Sequence, residues 1–233
     1  MNKKEALLCA SIAHSAYTNR SNEDDFQITA KFENKGTDTQ GIMGVAYDNT
    51  FVVAFRGSEE TGLADWLTDL KFLLSAFPYG KDEAKDVKVH QGFIAAYNSV
   101  RDAIMDAVQK TPHKRVICIG HSLGAALATL CALDIRCNVS DKEVYCYTYG
   151  SPKVGDDNFV KAYNKLVSNT FRFVNKSDVV PSMPPGSYNH VGKFQQLGQQ
   201  SESFSLSDIL DNVIDKLEDH LPHNYIKALR DLF

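Results

Sequence analysis

The chain has 233 residues, 43% of them hydrophobic and 23% charged, with a net charge of −4. That size and composition can bury a sizeable core and argue against disorder. The mildly acidic balance, with a pI near 6.0, offers no basic field to a polyanion, so no nucleic-acid partner is expected.

In chain order, Lys3-Lys4 followed by Ala6-Leu7-Leu8-Cys9-Ala10 resembles a short signal peptide, but Glu5 interrupts the basic start. Leu7, Leu8, Ile12 and Ala16 recur at helical spacing, and the segment reads as an amphipathic first helix. Strand-like runs follow at Phe26–Phe32, Gly41–Tyr47 and Phe51–Arg56, with Asp48-Asn49-Thr50 as turn chemistry between the last two. Leu63, Trp66, Leu67, Leu70, Leu74 and Phe77 fall on one helical face, and Phe93–Val108 reads as a helix. Lys114–Ile119 is a nearly continuous apolar strand, as in a parallel sheet covered on both faces. A helix of small residues starts at once (Ala125, Ala126, Ala128, Leu130). A strand at Val144–Tyr149, a helix at Asn158–Leu166 and a strand at Thr170–Val174 come next. Ile209, Leu210, Val213, Ile214 and Leu217 stripe a late helix that Ser205 with Asp208 fits as a cap. Alternation of strand and helix means an α/β fold with a central, mostly parallel sheet flanked by helices. No linker divides residues 1–233, so a single domain is expected. No run approaches the roughly 18 apolar residues of a membrane-spanning helix.

Cys9, Cys118, Cys131, Cys137 and Cys146 are odd in number and mostly sit in apolar runs, without zinc spacing. They read as small buried hydrophobes in a reducing compartment, and a cytoplasmic location is expected.

The strongest chemical signal is Gly120-His121-Ser122-Leu123-Gly124, a G-x-S-x-G. Alone it is weak, since on the order of one unrelated chain in ten would contain it. Here it follows an apolar strand and opens a helix, the setting of a nucleophile elbow. Such a turn strains the serine backbone, needs glycine at Gly120 and Gly124, and presents the hydroxyl above the sheet. The helix N-terminus behind it favours negative charge, and the Leu123 N–H can donate to an oxyanion. The serine needs a base and an orienting acid, in the order Ser, Asp or Glu, His. Only His190, His220 and His223 lie downstream, and spacing alone does not choose among them or among the aspartates. Metal binding by His220 and His223 would have only two ligands in view, so no metal and no cofactor are expected.

With these residues in place, the chain resembles the class 3 lipase family of α/β-hydrolases, the fungal-lipase type. Ile117 to Ala128 is similar to its GHSLGGALA signature, with Ala125 where glycine is usual. Val52-Val53-Ala54-Phe55-Arg56-Gly57-Ser58 with Asp65-Trp66-Leu67-Thr68-Asp69 resembles its first sheet-to-lid segment. Val89-His90-Gln91-Gly92-Phe93 resembles V-H-x-G-F, Gly150-Ser151-Pro152-Lys153-Val154-Gly155 resembles G-x-P-x-V-G, and Val174-Asn175-Lys176-Ser177-Asp178-Val179-Val180-Pro181 resembles V-N-x-x-D-x-V-P. The resemblance implies Ser122, Asp178 and His220 as catalytic triad, with Ser58 and Leu123 as oxyanion hole. It selects His220 over His223 because a His five residues before a Tyr, here Tyr225, is the frequent pattern. Leu221-Pro222 departs from the usual Ser-Met. It makes His190 a structural residue, and His90 and His121 read as packed, hydrogen-bonded supports of the site.

The resemblance implies hydrolysis of lipid esters, acylglycerols first, by an enzyme working at a lipid–water interface. Phospholipase A1 and feruloyl-type esterase activities are the alternatives, and a catalytically silent lipase-like binding module is a further one. Residues 61–77 read either as a movable lid or as an ordinary helix packed on the sheet.

Overall fold

A computed structural model describes residues 2–21, 23–46, 48–58, 72–199 and 217–232. The chain opens with helix α1 (Lys3–Thr18), capped by the Asn2 side chain, which accepts from the Lys4 and Glu5 amides. Its inner face carries small residues, Ala6, Cys9, Ala10, Ala13 and Ala16, so the helix can lie close against the sheet.

Strands β1 (Phe26–Asn34), β2 (Thr39–Ala46) and β3 (Thr50–Phe55) form an antiparallel meander. Next comes a small antiparallel ribbon of β4 (Leu74–Ala76) and β5 (Lys88–His90). Helices α2 (Gln91–Asn98) and α3 (Arg101–Lys110) lead to β6 (Arg115–His121) and α4 (Leu123–Asn138). The chain then forms β7 (Glu143–Tyr149), α5 (Asp157–Leu166), β8 (Thr170–Asn175) and β9 (Lys193–Leu197), and closes with α6 (Pro222–Asp231). Seven strands of the described residues make one sheet in the order β1-β2-β3-β6-β7-β8-β9, parallel from β3 to β9.

The two faces of this sheet are both apolar. Val53, Phe55, Val116, Cys118 and Cys146 pack under α2 to α5, while Val52, Ala54, Ile117, Ile119, Tyr147 and Tyr149 pack under α1 and α6. Burial on both sides explains why the β3 and β6 sequences run continuously apolar instead of alternating. Helix α4 is buried over most of its circumference, and its fully buried Asp134 is neutralised locally. Arg101 grips it with Nε (2.5 Å) and Nη2 (3.1 Å), and the Tyr97 hydroxyl donates to it at 2.7 Å. A buried carboxylate is tolerated only with such pairing.

Two sequence expectations change. The helix expected over Phe93–Val108 is two helices: the Ser99 hydroxyl donates to the Ala96 carbonyl at 2.7 Å, competing with the helical ladder, and Val100 leaves helical geometry (φ −124, ψ −3). Leu74 and Phe77 do not continue a helix from Leu63. Leu74 pairs with His90 in the ribbon, and the Phe77 amide donates to the Val87 carbonyl. Cross-strand pairing overrides the helical spacing there. Residues 61–71 of the expected lid (61–77), and the apolar stripe from Ile209 to Ile214, lie outside the described residues. No helix among the described residues is long and apolar enough to cross a membrane.

Candidate active site

Strand β6 runs straight into α4 with one residue between them, Ser122. The bend forces that residue to φ 58 and ψ −130, a conformation that L-residues adopt only under strain held by their surroundings. The hold is visible on both sides. The Ser122 amide donates to the Tyr149 carbonyl of β7 at 3.0 Å, and the Ala125 amide donates back to the Ser122 carbonyl at 2.9 Å. The flanking glycines are obligatory for contact reasons. A Cβ on Gly120 would lie 2.1 Å from the Gly124 carbonyl oxygen, and one on Gly124 would lie 2.4 Å from that of Phe55.

The carboxylate and imidazole come from the far end of the chain. Asp178 follows β8 and is fixed by the Val180 amide, which donates to its Oδ1 at 2.9 Å. Its Oδ2 receives the His220 Nδ1–H at 2.8 Å and the Tyr225 hydroxyl at 2.5 Å. The pair sits directly over Gly150 at the end of β7. A Cβ there would be 2.7 Å from the imidazole and 2.8 Å from the carboxylate oxygen. Only glycine leaves room, and Gly150 also has φ +59. Burial, and then the Asp178 charge, push the Tyr225 phenol well above its ordinary value, so it stays protonated and donates. The same phenol oxygen accepts the Asn175 amide at 3.1 Å.

The elbow and the acid–base pair meet through His121, whose ring centroid lies 4.5 Å from that of His220. Ser122 Oγ and His220 Nε2 are both buried, and neither has a hydrogen-bond partner among the described residues. Buried polar atoms are nearly always paired. This hydroxyl and this ring nitrogen are exceptions to that rule. They do not bond each other in this state, as is common before a substrate binds.

The loop after β3 passes close to the elbow. A Cβ on Gly57 would fall 3.0 Å from Ser122 Cβ and 2.6 Å from the His121 carbonyl oxygen. Ser58, the next residue, is partly buried, and Leu123 occupies the first turn of α4, where amides lack intrahelical partners. The other histidines separate cleanly. His223 is exposed and lines a groove of about 470 Å³ between α1 and α6, with His14, Lys227 and Arg230. His190 is largely buried and donates from Nε2 to the Pro181 carbonyl at 2.7 Å, and burial, then Arg172, lower it to about 3. His90 accepts the Phe93 amide and caps α2.

Residues 52–188 match the family model described as lipase (class 3). The chain belongs to the class 3 lipase family. Within it, the sequence is 34% identical over 158 residues to a lipase of Rhizomucor miehei, covering 63% of this chain and 41% of that protein. It is 32% identical over 184 residues to phospholipase A1-IIgamma of Arabidopsis thaliana, covering 67% and 43%. The chain thus spans less than half the length of these curated relatives. The solved triacylglyceride lipase of Rhizomucor miehei superposes with a TM-score of 0.74 at 25% identity, over 83% of this chain and 79% of that one. The family's α/β-hydrolase fold is therefore the fold of this chain. Two class 3 lipase residues here had no role assigned from sequence. Tyr225 served only as a marker for His220, although its hydroxyl grips the Asp178 carboxylate. Tyr17 stood outside the apolar helical spacing of Leu7, Leu8, Ile12 and Ala16, and its hydroxyl reaches His121 Nδ1 at 2.8 Å.

Proposed function

We propose that this chain is a serine esterase that hydrolyses carboxylic esters of lipids, acylglycerols first, through an acyl-enzyme on Ser122. The observation that carries the reading is the buried Asp178–His220 pair set over Gly150 against the strained elbow. His220 Nε2 takes the Ser122 proton as Oγ attacks the ester carbonyl, while Asp178 orients the ring through Nδ1–H and stabilises the imidazolium. The oxyanion is received by the N–H groups of Leu123 and Ser58. Collapse breaks the ester C–O bond, and the proton held by His220 goes to the leaving alcohol. Water, deprotonated by His220, then attacks the acyl-enzyme and releases the carboxylic acid. No step calls for a metal or cofactor.

Ser122 and His220 are each about 1% exposed, so substrate entry requires a cover to move. This supports the lid reading of the segment 61–77 for the part that precedes the ribbon, whose described residues Phe72 and Leu73 are exposed, and with it action at a lipid surface. A phospholipase A1 reading is favoured by the Arabidopsis relative. The unpaired cysteines support a reducing, cytoplasmic setting, and one continuous sheet supports a single domain.

The test is labelling with a fluorophosphonate, followed by a panel of nitrophenyl esters, triglyceride emulsion and phospholipid. Wild type should label and turn over esters, and Ser122→Ala should lose both by a factor of at least about 10³. Undiminished hydrolysis in Ser122→Ala would remove the esterase reading. Preference for phospholipid over triglyceride would replace the acylglycerol substrate with the phospholipase alternative.

A further inference from the structure

His121 stands between the N-terminal helix and the loop that carries His220. Its Nε2 lies 2.6 Å from the His220 carbonyl oxygen, and its Nδ1 lies 2.8 Å from the Tyr17 hydroxyl. A carbonyl can only accept, so Nε2 carries the proton. In the neutral ring Nδ1 is then an acceptor, and the Tyr17 hydroxyl donates to it. We propose that Tyr17 and His121 form an uncharged strut that positions the base, by holding the His220 backbone and by leaving the positive charge of the reaction to the His220 ring alone. The catalytic half of this inference rests on the esterase reading of Ser122, whereas the tautomer of His121 does not.

Three observations carry it. First, the strut is anchored. Helix α1 is fixed to the sheet by Tyr149, whose hydroxyl donates to the Ala6 carbonyl at 2.6 Å, and by Arg115, which pairs with Glu5. Second, the strut adjoins the loop to Ser58, the elbow and the His220 backbone. Tyr17 lies beneath the loop to Ser58, where a Cβ on Gly57 would fall 2.3 Å from its hydroxyl oxygen, and His121 itself precedes Ser122. Third, the charges around His121 disfavour a second cation. The ring is 2% exposed. It faces Tyr17 and His14 from α1, His220 from the loop at 4.5 Å, and Tyr225 from α6 at 5.7 Å. Among the described residues no carboxylate is one of these neighbours, and the Asp178 oxygen nearest them is already shared by His220 and Tyr225. Burial, and then His220, accordingly hold His121 well below the ordinary imidazole value. When His220 becomes an imidazolium, a charged His121 beside it would oppose the step.

The experiment combines kinetics on a soluble nitrophenyl butyrate with ¹⁵N–¹H NMR of the histidine rings in the full chain. Wild-type His121 is expected to be neutral with its proton on Nε2 from about pH 8 to about pH 5. For His121→Phe, which keeps the packing and loses both hydrogen bonds, kcat should fall by about 10–100-fold with KM within about twofold. Tyr17→Phe should lose about 3–10-fold. His121→Gln should retain more activity than His121→Phe, because its amide can still donate towards the His220 carbonyl. A proton on Nδ1, protonation of His121 above about pH 6, or an unchanged kcat in His121→Phe overturns the strut. If wild type hydrolyses no ester, the esterase reading fails, and the NMR measurement alone still decides the tautomer.

Discussion

At the scale of single residues, the site is a set of groups whose hydrogen bonds leave them one assignment each. The Asp178 carboxylate has one oxygen spent on the Val180 amide and the other shared by His220 and Tyr225. Removing the Tyr225 hydroxyl leaves that carboxylate under-donated and the Asn175 amide without its acceptor. Tyr225→Phe should therefore cost about 1–3 kcal/mol in stability, and kcat should fall several-fold at unchanged KM. Chemical denaturation and steady-state kinetics check both. Gly150→Ala is the harsher change, because its methyl group would overlap both the imidazole and the carboxylate. Displacing the pair by about 1 Å costs on the order of 100-fold or more in kcat. Circular dichroism establishes that the sheet survives, and an active, well-folded Gly150→Ala would contradict the placement of the pair.

At the scale of elements, what could be read in the sequence was what depends on local pattern. The apolar β6 run, the G-x-S-x-G and the small-residue start of α4 give the elbow from a dozen consecutive residues, because strand, turn and helix there are all locally determined. Asp178 and His220 were reachable only through family resemblance, since their pairing joins positions 42 residues apart and no spacing rule encodes it. Strand β9 and helix α6 were not anticipated. Lys193-Phe194-Gln195-Gln196-Leu197 is a short, polar edge strand, and α6 shows the sheet only Tyr225 and Leu229 as fully buried side chains. The ribbon strand at Leu74–Ala76 was hidden because Leu74, with Phe77 beyond it, fits a helical stripe. Helix α6 follows the His220 loop directly, so its seat on the sheet holds the proposed base. Leu229→Ala, at a fully buried position, should cost about 2–4 kcal/mol. Esterase activity should be lost at a lower temperature in this variant, which parallel thermal inactivation and unfolding curves would show.

At the scale of the whole molecule, the fold keeps two imidazoles neutral. His121 is held well below, and His190 at about 3 against, the ordinary 6.5. Both rings take up a proton on unfolding at acid pH, so the unfolded state binds more protons once the pH drops under about 6.5. Their contribution is complete above that value and is lost as pH falls through the lowered values, for His190 towards about 3, at up to about 1.4 kcal/mol per pH unit for each ring. Urea midpoints measured from pH 7 to pH 4 should fall accordingly, and His190→Asn should flatten the decline. A wild-type midpoint that does not change over that window would contradict neutral burial of these rings. The two atoms proposed to react, Ser122 Oγ and His220 Nε2, are both buried.

The most direct measurement is a crystal structure of the protein after reaction with an alkyl phosphonate. Phosphorus should be bonded to Ser122 Oγ, with the phosphoryl oxygen received by the Leu123 and Ser58 amides and His220 Nε2 within hydrogen-bond reach of the adduct. An adduct on another residue, or a His220 ring that stays out of reach while Asp178 still holds it, would contradict the proposed nucleophile and base together.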